Sequence, residues 1–215
     1  MSTPITRGFI HWSVTGPKTT VADLRRMHVE GNGWRDIGYH WVILHPDSNE
    51  LKGQAITGWW QIVKRGRPIN DDKVMTAAEQ GAHAFGHNKG TLSCVVVQKP
   101  GDKLHPLQIQ ALEAVMATWC KRYGLAPTDM YGHRDVNATQ CPGDELYGLV
   151  KAFRDGRKLS HGYDKRDLEK AALEFALAME AYLPVKEQPE AKQTSEYRNK
   201  MSAWERFLTI KGLVE

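Results

Sequence analysis

Two histidines and one cysteine, far apart in the chain, have the residue types of a catalytic zinc site. His11 follows a short apolar run that predicts a buried strand, and His133 and Cys141 lie eight positions apart within MYGHRDVNATQCPG. That interval suits a strand end followed by a loop that folds back. Zinc binds imidazole nitrogen and thiolate sulfur, and three protein ligands leave a fourth position for water. Water on zinc ionises near neutral pH, so these residues indicate a hydrolase.

Each of the three residues also has an ordinary structural interpretation. The chain contains nine histidines, and a single histidine beside an apolar strand is commonly a packed or surface side chain. A free cysteine such as Cys141 packs like a small hydrophobic residue. Residue types and spacing alone therefore leave both the metal site and the packed core open.

Four strings around these residues carry a family resemblance. FIHWSVT, GWRDIGYHWVI, GAHAFGHNKGTLSCVVV and YGHRDVNATQCPG occur in this order. Residues 5–155 thereby resemble the zinc-dependent N-acetylmuramoyl-L-alanine amidases, a family that includes phage endolysins and peptidoglycan recognition proteins. The resemblance implies one Zn²⁺ per chain, held by His11, His133 and Cys141. It also implies cleavage of the amide between N-acetylmuramic acid and L-alanine in bacterial peptidoglycan.

The resemblance also assigns two catalytic residues. Tyr39, in GYHWVI, matches a tyrosine at the family's zinc cleft, where a phenol donates a hydrogen bond to the oxyanion and passes a proton. Thr139 stands two positions before Cys141, where phage members often have lysine and others threonine. Its hydroxyl brings no positive charge, so we expect a smaller contribution than from lysine. By residue pattern alone, a strand residue with its ring packed inward is the favoured interpretation of Tyr39.

Two residues of GAHAFGHN match the family's substrate groove. Asn88 and His83 are therefore predicted to contact the peptidoglycan peptide. A turn asparagine and a loop histidine are the alternative interpretations. A second alternative concerns the whole chain, since some family members only bind peptidoglycan. Those members typically lack the cysteine ligand, which is present here as Cys141.

Alternating apolar patterns and turn residues predict an α/β fold. Strands are expected at residues 7–13, 38–46 and 92–98, with a long helix from Pro106 to a stop at Gly124. Strands interleaved with helices indicate a mixed sheet with helices packed on it. The resemblance implies the same fold: a central mixed β-sheet flanked by helices, with a zinc cleft on one side.

The sequence changes character near residue 158. We expect a zinc amidase catalytic domain over residues 1–158 and a helical appendage, a two-helix module, over residues 159–215, where apolar side chains recur at helical spacing. Neither helix could bury its apolar face alone in water. The two helices are expected to pack on each other, on the catalytic domain or on a second chain, so self-association is one of the alternatives.

Composition excludes several classes of protein. Residues 1–159 hold 20 Lys/Arg against 15 Asp/Glu, which suits either an anionic wall polymer or an ordinary solvated surface. The basic residues form no dense run with aromatic residues between them, which argues against a nucleic-acid binder. No apolar stretch approaches the 18 residues of a membrane span.

The N-terminus and the cysteines predict a location. MSTPITRGF contains no apolar signal segment, and three cysteines give no even disulfide framework. We therefore expect cytoplasmic synthesis, with the enzyme acting on the cell wall after release, as an endolysin does. Wall recycling and a toxin-like role are alternatives within the same chemistry.

Overall fold

A five-stranded mixed sheet forms the centre of the computed structural model, which describes residues 2–70 and 72–159. Its strand order is β4-β3-β6-β2-β7; β4 is antiparallel to β3, and the other pairs are parallel. Strands β1 and β5 form a separate antiparallel pair. The strands are β1 (Thr3–Pro4), β2 (Arg7–Trp12), β3 (Trp41–Ile43), β4 (Val63–Arg65), β5 (Val74–Met75), β6 (Thr91–Val96) and β7 (Met130–Gly132).

Three α-helices accompany the sheet among the described residues. They are α1 (Val21–Arg26), α2 (Pro106–Tyr123) and α3 (Asp144–Arg154). A π-helical turn, Met27–Gly31, continues α1, and short 3₁₀ turns span Asn49–Leu51, Trp59–Gln61, Pro127–Asp129 and His133–Asp135. The predicted α/β class with a mixed central sheet is confirmed. The predicted two-helix module lies outside the described residues.

Helix α2 packs against one face of the sheet and thereby determines which way His11 points. A Cβ at Gly8 of β2 would come within 2.4 Å of the Trp119 ring of α2, so glycine permits this close approach. Successive strand residues point to opposite faces. With Gly8 facing α2, Phe9 and His11 project from the other face of the sheet.

Strand β3 is shorter than the sequence predicts. The apolar run favours a strand over residues 38–46, whereas regular pairing covers only Trp41–Ile43. Before Trp41 the chain leaves the ladder, because the carbonyls of Tyr39 and His40 accept from Arg67 and Gly66 in the connection that follows β4. This departure places Tyr39 in a loop at the amino-terminal end of β3. Within the described residues, no helix has the length and apolar character needed to cross a bilayer.

A buried histidine joins this loop to its surroundings. His40 is fully buried; its Nδ1 accepts from the backbone N–H of Ser93, and its Nε2 lies 2.9 Å from the carbonyl oxygen of Glu79. These bonds require a neutral ring with its hydrogen on Nε2. Burial, which disfavours the charged form, lowers the pKa of His40 to about 4.

We expect the stability of the fold to fall as the pH drops from about 6.5 to about 4. Below the ordinary histidine pKa, His40 of the unfolded chain binds a proton, whereas His40 of the native chain stays neutral. This difference lowers the free energy of unfolding by up to about 3 kcal/mol. His40→Gln, which keeps an amide nitrogen near Glu79, should make the pH dependence of the unfolding free energy shallower. Urea titrations at several pH values, with a metal chelator present, measure this. An equally steep dependence in the variant would contradict the assignment.

Candidate metal centre

Parallel strand pairing brings the two histidines of the centre together. His11 is the fifth residue of β2, and His133 directly follows β7; the register pairs Ile10 with Gly132. Their ring centroids lie 4.7 Å apart. His11 is 1% exposed, whereas His133 is half-buried and faces the edge of the site. The predicted association of these residues, distant in sequence, is present in the structure.

The loop after β7 folds back and delivers the cysteine. The backbone N–H of Arg134 donates to the carbonyl oxygen of Cys141 at 2.8 Å, and the backbone N–H of Cys141 donates to the hydroxyl of Thr139 at 3.2 Å. Gly143 closes the turn with a φ of 85°, and a Cβ there would come within 2.6 Å of the Trp12 ring. A residue other than glycine would therefore be strained and would clash.

Three candidate ligand atoms converge on one another. One atom each from His11, His133 and Cys141 lie within 4.8 Å of one another. The Nδ1 atom of His11 is 3.6 Å from the Sγ atom of Cys141. Tetrahedral zinc, with bonds of about 2.05 Å to nitrogen and about 2.3 Å to sulfur, would hold these two atoms about 3.6 Å apart. The donor set and this distance both fit a zinc ion.

Burial sets the charge states of the cluster. It lowers the pKa of His11 well below the ordinary value, with smaller effects from His83 and His133. It also raises the pKa of Cys141 to about 11, although the backbone N–H of Trp12 and the charge of Arg134 oppose the rise. Two neutral imidazoles and a thiol that a cation can deprotonate form a competent ligand set for a soft divalent metal.

Two predicted substrate-binding residues lie beside the centre and make internal hydrogen bonds. His83 is 7% exposed, and its Nδ1 is 3.2 Å from the Nε2 of His11. Asn88 is half-buried, and its side-chain oxygen accepts from the backbone N–H groups of His83 and Ala84 at 2.8 and 2.9 Å. A peptide contact by either residue stays a prediction.

Tyr39 packs against the centre from the loop before β3. Its ring centroid is 5.2 Å from that of His11 and 5.2 Å from that of His28. Burial raises the pKa of the Tyr39 phenol, and the nearby Cys141 raises it further. The hydroxyl therefore keeps its proton at neutral pH and is available as a hydrogen-bond donor. The structure thus places Tyr39 beside the cluster, and its catalytic role stays a prediction.

Thr139 is exposed at the mouth of the site. It lines a cleft of about 360 Å³ together with Trp12, Arg134, Gln140, Gly143 and Asp144. The Arg134 guanidinium pairs with Asp144 at 2.7 Å. A larger cavity of about 450 Å³ lies elsewhere, around His45 and Lys103, and His11, His133 and Cys141 line neither space. The smaller cleft is the one next to the cluster along the chain, because Arg134 directly follows His133, and Gln140 directly precedes Cys141.

The sequence did not indicate three further residues that lie near the centre. Thr91 contacts the far side of His83, Asn137 contacts His133, and Phe85 is 91% exposed on the loop that approaches Asn137. Asn137 lies four residues after His133, so local spacing could have indicated it. Nothing in the sequence connects Thr91 with the metal ligands, because that contact depends on the register of β6.

Comparison with known proteins identifies the family. A family model described as N-acetylmuramoyl-L-alanine amidase matches residues 1–144, about two thirds of the chain. The chain belongs to this family. The endolysin of Escherichia phage T7 is 27% identical over 146 residues, which is 64% of this chain and 80% of the endolysin. Peptidoglycan-recognition protein SC1a of Drosophila melanogaster is 26% identical over 132 residues, or 60% of each chain.

Solved structures share the fold of this amidase-family chain. Drosophila PGRP-LB superposes with a TM-score of 0.53 at 23% identity, covering 74% of this chain and 86% of that one. The endolysin amidase LysCS from Clostridium intestinale gives a TM-score of 0.51 at 23% identity and covers 69% and 82%. The predicted family and the fold class are thus confirmed.

We expect Cys141→Ser to lose most of the metal affinity of the protein. Removal of a partner that only orients a ligand costs about 10–100-fold in affinity, and removal of the thiolate ligand should cost more. Zinc competition with a chromophoric chelator gives the dissociation constant, and cobalt substitution gives the thiolate charge-transfer band. Cys120→Ser on α2 is the matched control and should bind as the parent does. Equal affinity in the two variants would contradict the ligand assignment.

Proposed function

We propose that the chain is a zinc-dependent N-acetylmuramoyl-L-alanine amidase that cleaves the amide between N-acetylmuramic acid and L-alanine in bacterial peptidoglycan. The observation that carries the proposal is the convergence of His11, His133 and Cys141 within 4.8 Å, inside the region that matches the family model. The names of the relatives, endolysin and amidase, support this substrate.

His11, His133 and Cys141 would hold the zinc ion. When bound, zinc supplies a Lewis acid for the amide carbonyl and lowers the pKa of water towards 7. The residues themselves keep the site ready for this chemistry. Both imidazoles are held neutral by burial, and His133, unlike His11, is only half-buried, so the cluster is accessible from the side of His133.

We infer that Tyr39 stabilises charge on the substrate. Its raised pKa keeps the phenol protonated, so it donates a hydrogen bond to a carbonyl oxygen that becomes negative as the amide is attacked. Packing between His11 and His28 fixes the ring beforehand. Thr139 provides a second, weaker donor, because its hydroxyl is exposed and carries no positive charge. The hydroxyl oxygen accepts from the backbone N–H of Cys141, which leaves its hydrogen free to be donated.

A binding-only recognition module is the alternative, and the cluster favours the enzyme. Recognition of a peptide requires neither a buried thiol against an imidazole nor a phenol beside them. The cost of burying Cys141 and His11 together, both with pKa values shifted by desolvation, is understandable where a metal uses them. Action on the wall after release from the cytoplasm is part of the proposal, and similarity to phage endolysins supports it.

We expect Tyr39→Phe to lower kcat by about 10²-fold or more, the usual effect of removing one oxyanion donor. Phenylalanine keeps the ring packing against His11 and His28, so zinc content and melting temperature should remain those of the parent protein. Thr139→Val should lower kcat less. Release of stem peptides from purified sacculi, at saturating zinc, gives the rates. A fully active Tyr39→Phe enzyme would leave Tyr39 with a packing role only.

Mass spectrometry of digested sacculi tests the reaction itself. An amidase produces peptides with a free L-alanine amino group and glycan strands without new reducing ends. Cys141→Ser serves as the inactive control. New reducing ends would indicate a glycosidase, and binding to sacculi without any product would indicate a recognition module. Either result would overturn the proposal.

A further inference from the structure

Hydrogen bonds connect the loop of residues 83–88, which contains the predicted substrate-groove residues, to both histidines of the candidate metal centre. One path runs from His11 to His83 (3.2 Å), then to Thr91 (3.1 Å), and ends on the carbonyl oxygen of His87 (2.8 Å). The other runs from His133 to Asn137 (3.0 Å) and ends on the carbonyl oxygen of Phe85 (3.2 Å). Both paths therefore finish on backbone carbonyls of the same loop.

The carbonyl at the end of the first path fixes the direction of every hydrogen bond along it. A carbonyl oxygen only accepts, so the single hydroxyl hydrogen of Thr91 is directed to His87. The Thr91 oxygen must then accept from the Nε2–H of His83. A neutral His83 with its hydrogen on Nε2 has an accepting Nδ1. His11 consequently donates through Nε2–H and keeps the lone pair of Nδ1 free on the side of Cys141.

The second path gives the same result for His133. The side-chain nitrogen of Asn137 must face the carbonyl oxygen of Phe85, which leaves the amide oxygen to accept from the Nε2–H of His133. The remaining nitrogen of His133, Nδ1, is then the one with a free lone pair. Both ligand rings thus have the same tautomer, although their partners differ.

We propose that the 83–88 loop, through His83–Thr91 and through Asn137, positions both histidine ligands by fixing their Nε2–H tautomers, so that each offers Nδ1 to the metal. The proposal rests on the metal site of the proposed function. His83 and Thr91 are positioning residues on this account. Asn88 holds the loop closed by accepting from the backbone N–H groups of His83 and Ala84.

Strand β6 contains a matched control for this proposal. Ser93 lies two residues after Thr91 on the same strand face, and its hydroxyl contacts the ring of another buried histidine, His40, at 2.9 Å. The path from Ser93 through His40 ends on the carbonyl oxygen of Glu79 and does not reach a candidate metal ligand. Thr91→Val and Ser93→Ala therefore each remove one buried hydroxyl from a histidine, and only the first variant interrupts a path to the cluster.

The test measures zinc affinity by chelator competition. We expect Thr91→Val to weaken zinc binding about 10–100-fold, as loss of partners that orient a ligand generally does, and Ser93→Ala to leave it unchanged. Asn137→Ala, at a half-buried position, should also weaken it, and Asn137→Asp, which keeps an accepting oxygen, should restore much of the affinity. Equal shifts in Thr91→Val and Ser93→Ala, or no shift in Thr91→Val, would overturn the proposal for His11. If Thr91→Val does not fold, the zinc affinities of Asn137→Ala and Asn137→Asp test the proposal.

Nitrogen-15 NMR of the metal-free parent protein reads the tautomers directly. We expect hydrogen on Nε2 of His11, His83 and His133, and hydrogen on Nδ1 of either ligand ring would overturn the proposal. Neither the zinc-affinity measurement nor the NMR experiment uses peptidoglycan. A protein with these tautomers and tight zinc binding but no amidase product would therefore refute the proposed function alone.

Discussion

The parallel pairing of β2 with both β6 and β7 is the interaction on which the metal centre depends. It places His11, near the carboxyl end of β2, beside His133, which directly follows β7. Pairing with β6 places Thr91 where its hydroxyl contacts His83, and His83 in turn contacts the ring of His11. A shift of one residue in the register of β2 would turn His11 towards α2, where Trp119 packs against Gly8, and would destroy the cluster.

Because the site is buried, its hydrogen bonds contribute more free energy than they would at the surface. Polar groups in a region of low dielectric are costly when unpaired, so each ring nitrogen that faces away from the cluster has a partner. The same burial keeps the imidazoles neutral and the Cys141 thiol protonated in the free protein. A divalent metal held by these residues would take the place of the thiol proton, and its binding would therefore be coupled to the state of the buried network.

Features encoded by local motifs could be predicted from the sequence, whereas features that depend on tertiary contacts could not. The string around His133 and Cys141 indicated two residues that lie together with His11 in the structure, and the apolar run at β6 predicted a central strand. The apolar run around Trp41 suggested too long a strand, because the bonds that end it come from a distant connection. The place of His83 behind His11 could not be foreseen, since the two residues are 72 positions apart and meet only through the sheet.

X-ray absorption spectroscopy of the zinc-loaded protein tests the central claim most directly. The account requires one sulfur neighbour at about 2.3 Å and two imidazole nitrogens at about 2.0–2.1 Å, with one further light atom completing a tetrahedron. These are Cys141, His11 and His133, whose ligand atoms the sheet and the loop after β7 bring within 4.8 Å of one another. A spectrum without the sulfur neighbour, or one that keeps it in Cys141→Ser, would contradict the account.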